Sequence, residues 1–171
     1  MSIELISQAL SKVARHFIEH PEDARSQDKP ATAVLESGLR CRAAGPNGAT
    51  LVSDMPAAIG GAGSAPSPGW LLRAALANCD ATLIAMRAAQ LGIVINRLEV
   101  TVGSESDDRG LLGVSGSVPP GPLSVSVSVR ISAAGASAEQ AHELVRWAEK
   151  HSPVADALRR AVPVTTEVIV E

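Results

Sequence analysis

The chain has 171 residues, a formal net charge of -3 at pH 7, and 46% hydrophobic but only 2% aromatic residues. Its aromatics are Phe17, Trp70 and Trp147 alone. That leaves no stacking platform for single strands, and the acidic balance offers no basic footprint for DNA or RNA. The length suits one domain, or one domain with an added arm, around a core of Ala, Val, Leu and Ile.

The opening segment "MSIELISQALSKVARHF" lacks a basic stretch followed by an apolar one, so no secretory signal is read. Two cysteines without such a signal suit a reducing, cytoplasmic setting. Ile3, Ile6, Leu10, Val13 and Phe17 follow a 3-4-3-4 spacing, which predicts an amphipathic helix over 3–19. "HPEDARSQDKP" ends it as a polar linker bracketed by prolines. His16 and His20 lie four apart on this helix with no third ligand, and no metal site or cofactor is read.

"ATAVLESGLRCRA" (31–43) reads as one strand, "GPNG" (45–48) as a hairpin turn and 49–54 as the returning strand. The Gly- and Pro-rich loop 55–68 lacks the Lys of a phosphate cradle. Ser67 and Pro68 are the N-cap and first residue of a long helix over 68–91, stopped at Gly92. This helix is apolar nearly all round, which predicts burial on most sides. Asn78 and Asp80 at its centre exclude a membrane span. Strands are predicted over 93–103 and 123–132, with a strand and turn over 111–122. Ser137 and Gln140 form a capping box for a helix running to about Lys150. Ser152 caps a further helix at Pro153, and "VPVTTEVIVE" reads as a terminal strand. Helices mixed with hairpins make the fold class α+β.

Cys79 lies three turns into the long helix, where the helix dipole helps it little. Arg73, Asp80 and Arg87 repeat every seven residues on a neighbouring face and can offset one another. By spacing alone Cys79 is an inert core cysteine.

A family resemblance changes that reading. "SPGWLLRAALANC" followed by "GIVINRLEVTVGSESD" resembles the OsmC and organic hydroperoxide resistance (Ohr) superfamily. There a Pro-started helix follows a Gly-rich loop and a cysteine comes eleven residues after the proline, the interval between Pro68 and Cys79. "AEKHSPVADALRRAVPV" resembles the second family motif, and "SDMPAAIGG" the segment ahead of the loop. The resemblance covers roughly 31–171 and leaves 1–30 as a helical arm and linker. It implies an intertwined homodimer with two long central helices and antiparallel sheets. It also implies reduction of organic hydroperoxides by two cysteines: a peroxidatic thiolate, here Cys79, becomes a sulfenic acid, and a second cysteine closes a disulfide that a dithiol reopens.

The departures from the family pattern are specific. Ser152 stands at the resolving position, and a hydroxyl closes no disulfide. Gly69, followed by Trp70, stands where the family has a Glu that helps bind substrate. The family Arg has two candidates, Arg40 and Arg42, each equally readable as a solvated strand residue. Cys41 lies between them and faces the other way. A Cys41–Cys79 bridge and an activating arginine are therefore competing expectations. The implied function is a one-cysteine peroxidase restored by an external thiol or dithiol. The alternatives are a catalytically degenerate member binding a small apolar ligand in a pocket that holds the thiol, and a thiol-dependent transferase or hydrolase with His151 near the site.

Overall fold

A computed structural model describes residues 2–171. Helix α1 (Ile3–Glu19) is capped by the Ser2 hydroxyl, which accepts from the Leu5 amide. Its stripe is used by halves: Ile3, Ile6 and Leu10 are half-buried, whereas Val13 and Phe17 are exposed. His16 hydrogen-bonds Asp23 (2.9 Å) and His20 hydrogen-bonds Glu22 (3.3 Å) in the short turn that follows.

The predicted strand over 31–43 is two strands, β1 (Thr32–Ser37) and β2 (Arg40–Ala44). The chain reverses at Gly38, whose φ of 55° lies in the region glycine occupies without strain. The "GPNG" turn forms as expected, with Asn47 and Gly48 at positive φ, and returns as β3 (Thr50–Ser53). The three strands form one antiparallel sheet in the order β1-β2-β3.

Helix α2 (Pro68–Gln90) starts on Ser67, whose hydroxyl accepts from the Trp70 amide (3.3 Å). It ends in a Schellman motif. Gly92 is left-handed (φ 68°), its amide bonds the Ala89 carbonyl, and the Ile93 amide bonds the Ala88 carbonyl. Strands β4 (Val94–Glu105) and β5 (Ser124–Ala134) pair antiparallel along their length. Helix α4 (Ala138–His151) has the full capping box between Ser137 and Gln140, and α5 (Pro153–Arg159) starts on Ser152.

The strand expected within 111–122 is absent. Leu111 instead closes a four-residue helix, α3 (Asp108–Leu111), and turns follow to Pro122. Pro119, Pro120 and Pro122 lack ladder donors. Gly110 packs so tightly that an added Cβ would sit 2.2 Å from the Pro119 carbonyl oxygen. The terminal strand is also absent: residues 161–171 form no ladder within this chain, and Val164, Val168, Ile169 and Val170 are exposed. A run of strand formers with no neighbour in register has nowhere to place its hydrogen bonds.

The architecture is α+β. Helices α2 and α4 share one core, in which Ile84, Ala88, Ile93, Leu144 and Ala148 are buried. One face of β4–β5 packs on it through Leu98, Val100, Val129 and Ile131. Val125 and Val127 continue the β5 face but remain exposed. The all-round burial expected of α2 is likewise not found. Its buried residues are Leu76, Asp80, Ile84, Ala88 and Ala89, with the remaining faces open in the single chain.

Candidate active site around Cys79

The structure brings Cys79 of α2 to the junction of α4 and α5. Ser152, fully buried there, has its hydroxyl 3.2 Å from the Cys79 sulfur and in position to donate to it. The same oxygen accepts from the Ala155 amide (3.2 Å) and so caps α5. One side chain thus fixes the start of a helix and holds the sulfur. Both cysteines are free thiols, and Cys41 sits in β2 opposite Leu35 and Ser53.

The two candidate arginines converge elsewhere. The register of β1 and β2 slips between Leu35 and Ser37, and Glu36 at the slip accepts from both Arg40 (3.0 Å) and Arg42. The Arg42 hydrogen bond, then that of Arg40, holds the Glu36 carboxyl below the usual carboxylate range. Within one chain both guanidinium groups are turned to Glu36 rather than to the thiol. His151 is also turned away. Its Nδ1 lies 2.7 Å from the Trp147 carbonyl oxygen and its ring stacks on Trp147 at 4.1 Å, so no imidazole is bonded to the sulfur as a base.

An apolar cavity of about 590 Å3 opens beside the first turns of α2. Met55, Ile59, Leu72, Leu76, Val102 and Leu158 form much of its wall, and Gly69 stands at its edge. Cys79 is not on that wall, contrary to the expectation of a thiol inside the pocket. The wall ends at Leu76, one turn before Cys79. Trp70, half exposed, lines a shallower recess with Asp54 and Pro66.

The loop that closes the cavity depends on a residue the sequence did not mark. Asp54 is buried, with a relative exposure of 1%. Its carboxylate accepts from the Met55 amide (2.8 Å), the Ser64 amide (2.9 Å) and the Ser64 hydroxyl (2.8 Å), and Arg40 donates to that hydroxyl (2.7 Å). A single Asp followed ten residues later by a Ser carries no pattern that periodicity detects. The hydrogen bonds from the Ser64 amide and hydroxyl lower the Asp54 pKa. A lowered carboxylate pKa adds stability above its unfolded value, and that stability is lost as pH falls through the folded value. The Ser64 amide is therefore expected to be protected from hydrogen exchange at neutral pH and to lose protection on acidification. Asp54→Asn is expected to lack the pH-dependent part of that protection. An identical pH profile in wild type and variant would refute the role.

The expected offsetting of Arg73, Asp80 and Arg87 does not occur. Arg73 donates to the Ser104 hydroxyl (3.1 Å) and Arg87 to Gln90 (3.3 Å), with the Arg87 guanidinium over the Trp147 ring at 5.3 Å. Asp80 is buried, and its Oδ1 has no hydrogen-bond donor among the described residues. Among the described residues no group of three His, Cys, Asp or Glu side chains is placed to hold a metal ion, and no helix is long and apolar enough to cross a membrane.

The family model for OsmC-like proteins matches residues 61–167. No curated protein matches the chain in sequence. Solved structures share its fold. An OsmC-like protein from Mycoplasma pneumoniae superposes with a TM-score of 0.67 at 18% identity, over 79% of this chain and 89% of its own. A protein from Psychrobacter arcticus, described as an osmotic stress induced and detoxification response protein, gives 0.63 at 19%, over 78% and 90%. An organic hydroperoxide resistance protein from Legionella pneumophila gives 0.57 at 22%, over 79% and 91%. Helix α1 lies ahead of the matched residues. With the family model spanning more than half its length and the same α+β fold in these neighbours, the chain belongs to the family of OsmC-like proteins.

Proposed function

We propose that the protein is a one-cysteine thiol peroxidase that reduces organic hydroperoxides at Cys79. The observation that carries this reading is the Ser152 hydroxyl at 3.2 Å from the Cys79 sulfur. Ser152 occupies the position a resolving cysteine would need, and it presents a donor to the sulfur instead of a second thiol. The names of neighbours such as the Legionella pneumophila organic hydroperoxide resistance protein support the substrate class.

In the proposed cycle the Cys79 thiolate attacks the outer oxygen of the hydroperoxide. The O–O bond breaks, the sulfur becomes a sulfenic acid, and the departing alkoxide takes a proton to leave as the alcohol. An external thiol then condenses with the sulfenic acid, releasing water and forming a mixed disulfide. A second thiol, or the other half of a dithiol, reopens that disulfide and restores Cys79. No cofactor takes part. Two free thiols suit a reducing compartment, and the reading places the protein in the cytoplasm.

The working unit in this reading is a homodimer of the domain over 31–171, with the arm over 1–30 added to it. The open faces of α2, the exposed valines of β5 and the unpaired tail over 161–171 support a second copy that covers them. Assembly is also the step at which Arg40 or Arg42 would join the thiol, since within one chain both serve Glu36.

The alternative, a binding module without chemistry, draws on the cavity wall stopping one turn short of Cys79. The two readings separate in one experiment. Reduced protein is mixed with cumene hydroperoxide and the products are trapped with a sulfenic-acid probe and read by mass spectrometry. Labelling at Cys79, faster than with hydrogen peroxide and abolished in Cys79→Ser, is the expected result. An unlabelled, intact Cys79 thiol would sink the peroxidase reading and leave the binding module.

A further inference from the structure

Pro153 leaves a defect at the end of α4. In an unbroken helix the amide of residue 153 would bond the carbonyl of residue 149. Proline has no amide hydrogen, so the Glu149 carbonyl loses that donor. Arg159 supplies one from the other side of the junction: its Nη2 donates to the Glu149 carbonyl oxygen at 2.7 Å. His151 Nδ1 takes the Trp147 carbonyl (2.7 Å), a bond that stays within α4. Among the described residues the Arg159 bond is the one that ties the far end of α5 back to α4.

That tie closes a bracket around Ser152. Helix α5 has seven residues, too few to be stable on their own. Its first turn is held by the Ser152 cap on the Ala155 amide (3.2 Å) and its last residue by the bond from Arg159. A cation on the last carbonyls of α4 also sits at the negative end of that helix. With both ends of α5 held, the angle between α4 and α5 is fixed, and so is the direction in which the junction carries the Ser152 hydroxyl. The cap uses a lone pair of that oxygen and leaves its proton for the Cys79 sulfur at 3.2 Å.

We propose that Arg159 is a positioning residue for Cys79. By giving the Glu149 carbonyl the donor that Pro153 lacks, it keeps the Ser152 hydroxyl aimed at the sulfur. A donor held on the sulfur favours thiolate over thiol. Arg159 bonds Glu149 rather than the sulfur, so it acts through the junction. The use made of the thiolate rests on the peroxidase reading, whereas its formation rests on this geometry alone.

The thiolate is read directly by its ultraviolet absorbance in the reduced full-length protein. The chain has no tyrosine to absorb in the same region, and Cys41→Ser leaves Cys79 as the one thiol. All variants are compared in that background at one mildly alkaline pH. Ser152→Ala is expected to lower the thiolate-to-thiol ratio about tenfold, the size of effect for losing one hydrogen bond to a charged acceptor. Arg159→Met is expected to lower it by a comparable factor, and Arg159→Lys, which keeps a donor, to recover most of the loss. Ser152→Ala and Arg159→Met together are expected to go no lower than Ser152→Ala alone, because one residue works through the other. An Arg159 that only stabilised the fold would lower the melting temperature and leave the ratio unmoved. An unchanged ratio in Arg159→Met, or a loss that multiplies with that of Ser152→Ala, therefore overturns the proposal. A second arm exposes the same proteins to cumene hydroperoxide. Oxidation of Cys79 with a thiolate ratio indifferent to Arg159 would overturn the positioning role and spare the proposed function. An Arg159-dependent ratio with Cys79 inert to the peroxide would do the reverse.

Discussion

Ser152→Cys is expected to turn the one-cysteine site into a two-cysteine one. After one equivalent of organic hydroperoxide, the variant should lose two hydrogens in mass and form an internal disulfide with Cys79, and the sulfenic acid trapped in the wild-type protein should disappear. A dithiol should then recycle it. The geometry is close to what the bond needs: the side-chain oxygen is 3.2 Å from the sulfur, and an S–S bond of about 2.05 Å asks for an approach of roughly one further ångström. The cost falls on α5, whose cap is that same oxygen. Losing a Ser N-cap costs about 0.5–2 kcal/mol, so the reduced variant should unfold earlier than wild type and the oxidised one later. A variant that accumulates sulfenic acid without closing a disulfide would show the junction of α4 and α5 to be too rigid for resolution. That result would argue that Ser152 is there to hold the sulfur.

How much of this site could be read in advance depends on the range of the interactions involved. Ser152 was legible as a cap because Ser-Pro before an apolar run is a local signal. Its second bond, to a sulfur 73 positions earlier, depends on how α2 crosses the α4–α5 junction, and no periodicity encodes that crossing. The interval from Pro68 to Cys79 gave the thiol its expected role through resemblance alone. Arg40 and Arg42 illustrate the opposite case. Their strand and shared face were readable from alternation, but their partner Glu36 sits at a register slip, and a slip re-aims side chains in a way the sequence does not announce.

The fold shows the same division. Local signals placed α1, α2, α4 and α5 nearly to the residue, because each carries a polar cap and a breaker beyond it. Two strand readings failed where local composition was silent about pairing. Strand-forming residues run through 31–43 and hide a reversal at one glycine, Gly38. Val, Ile and Thr fill 162–171 too, yet strand formers make a strand only when another strand lies alongside. In the proposed homodimer the partner for that tail belongs to the second copy, so a single chain is the wrong place to look for it.

Asp80→Leu is expected to raise stability by about 1–3 kcal/mol in chemical denaturation, the range for removing a buried polar group that lacks a partner. Asp80 continues the row of Leu76, Ile84 and Ala88 at four-residue steps, and those three are buried apolar residues. Its own relative exposure is 3%, and Oδ1 has no donor among the described residues. A leucine there would extend the apolar row. Asp80→Asn serves as the control: it keeps a polar carbonyl in the same place and should gain much less. A stabilising Asp80→Leu with slower oxidation of Cys79 would mean that the protein carries an energetically costly residue beside its thiol because the chemistry uses it. A destabilising Asp80→Leu would overturn the accounting and require a donor to Oδ1 that one chain does not supply, placing Asp80 in the contact between the two copies.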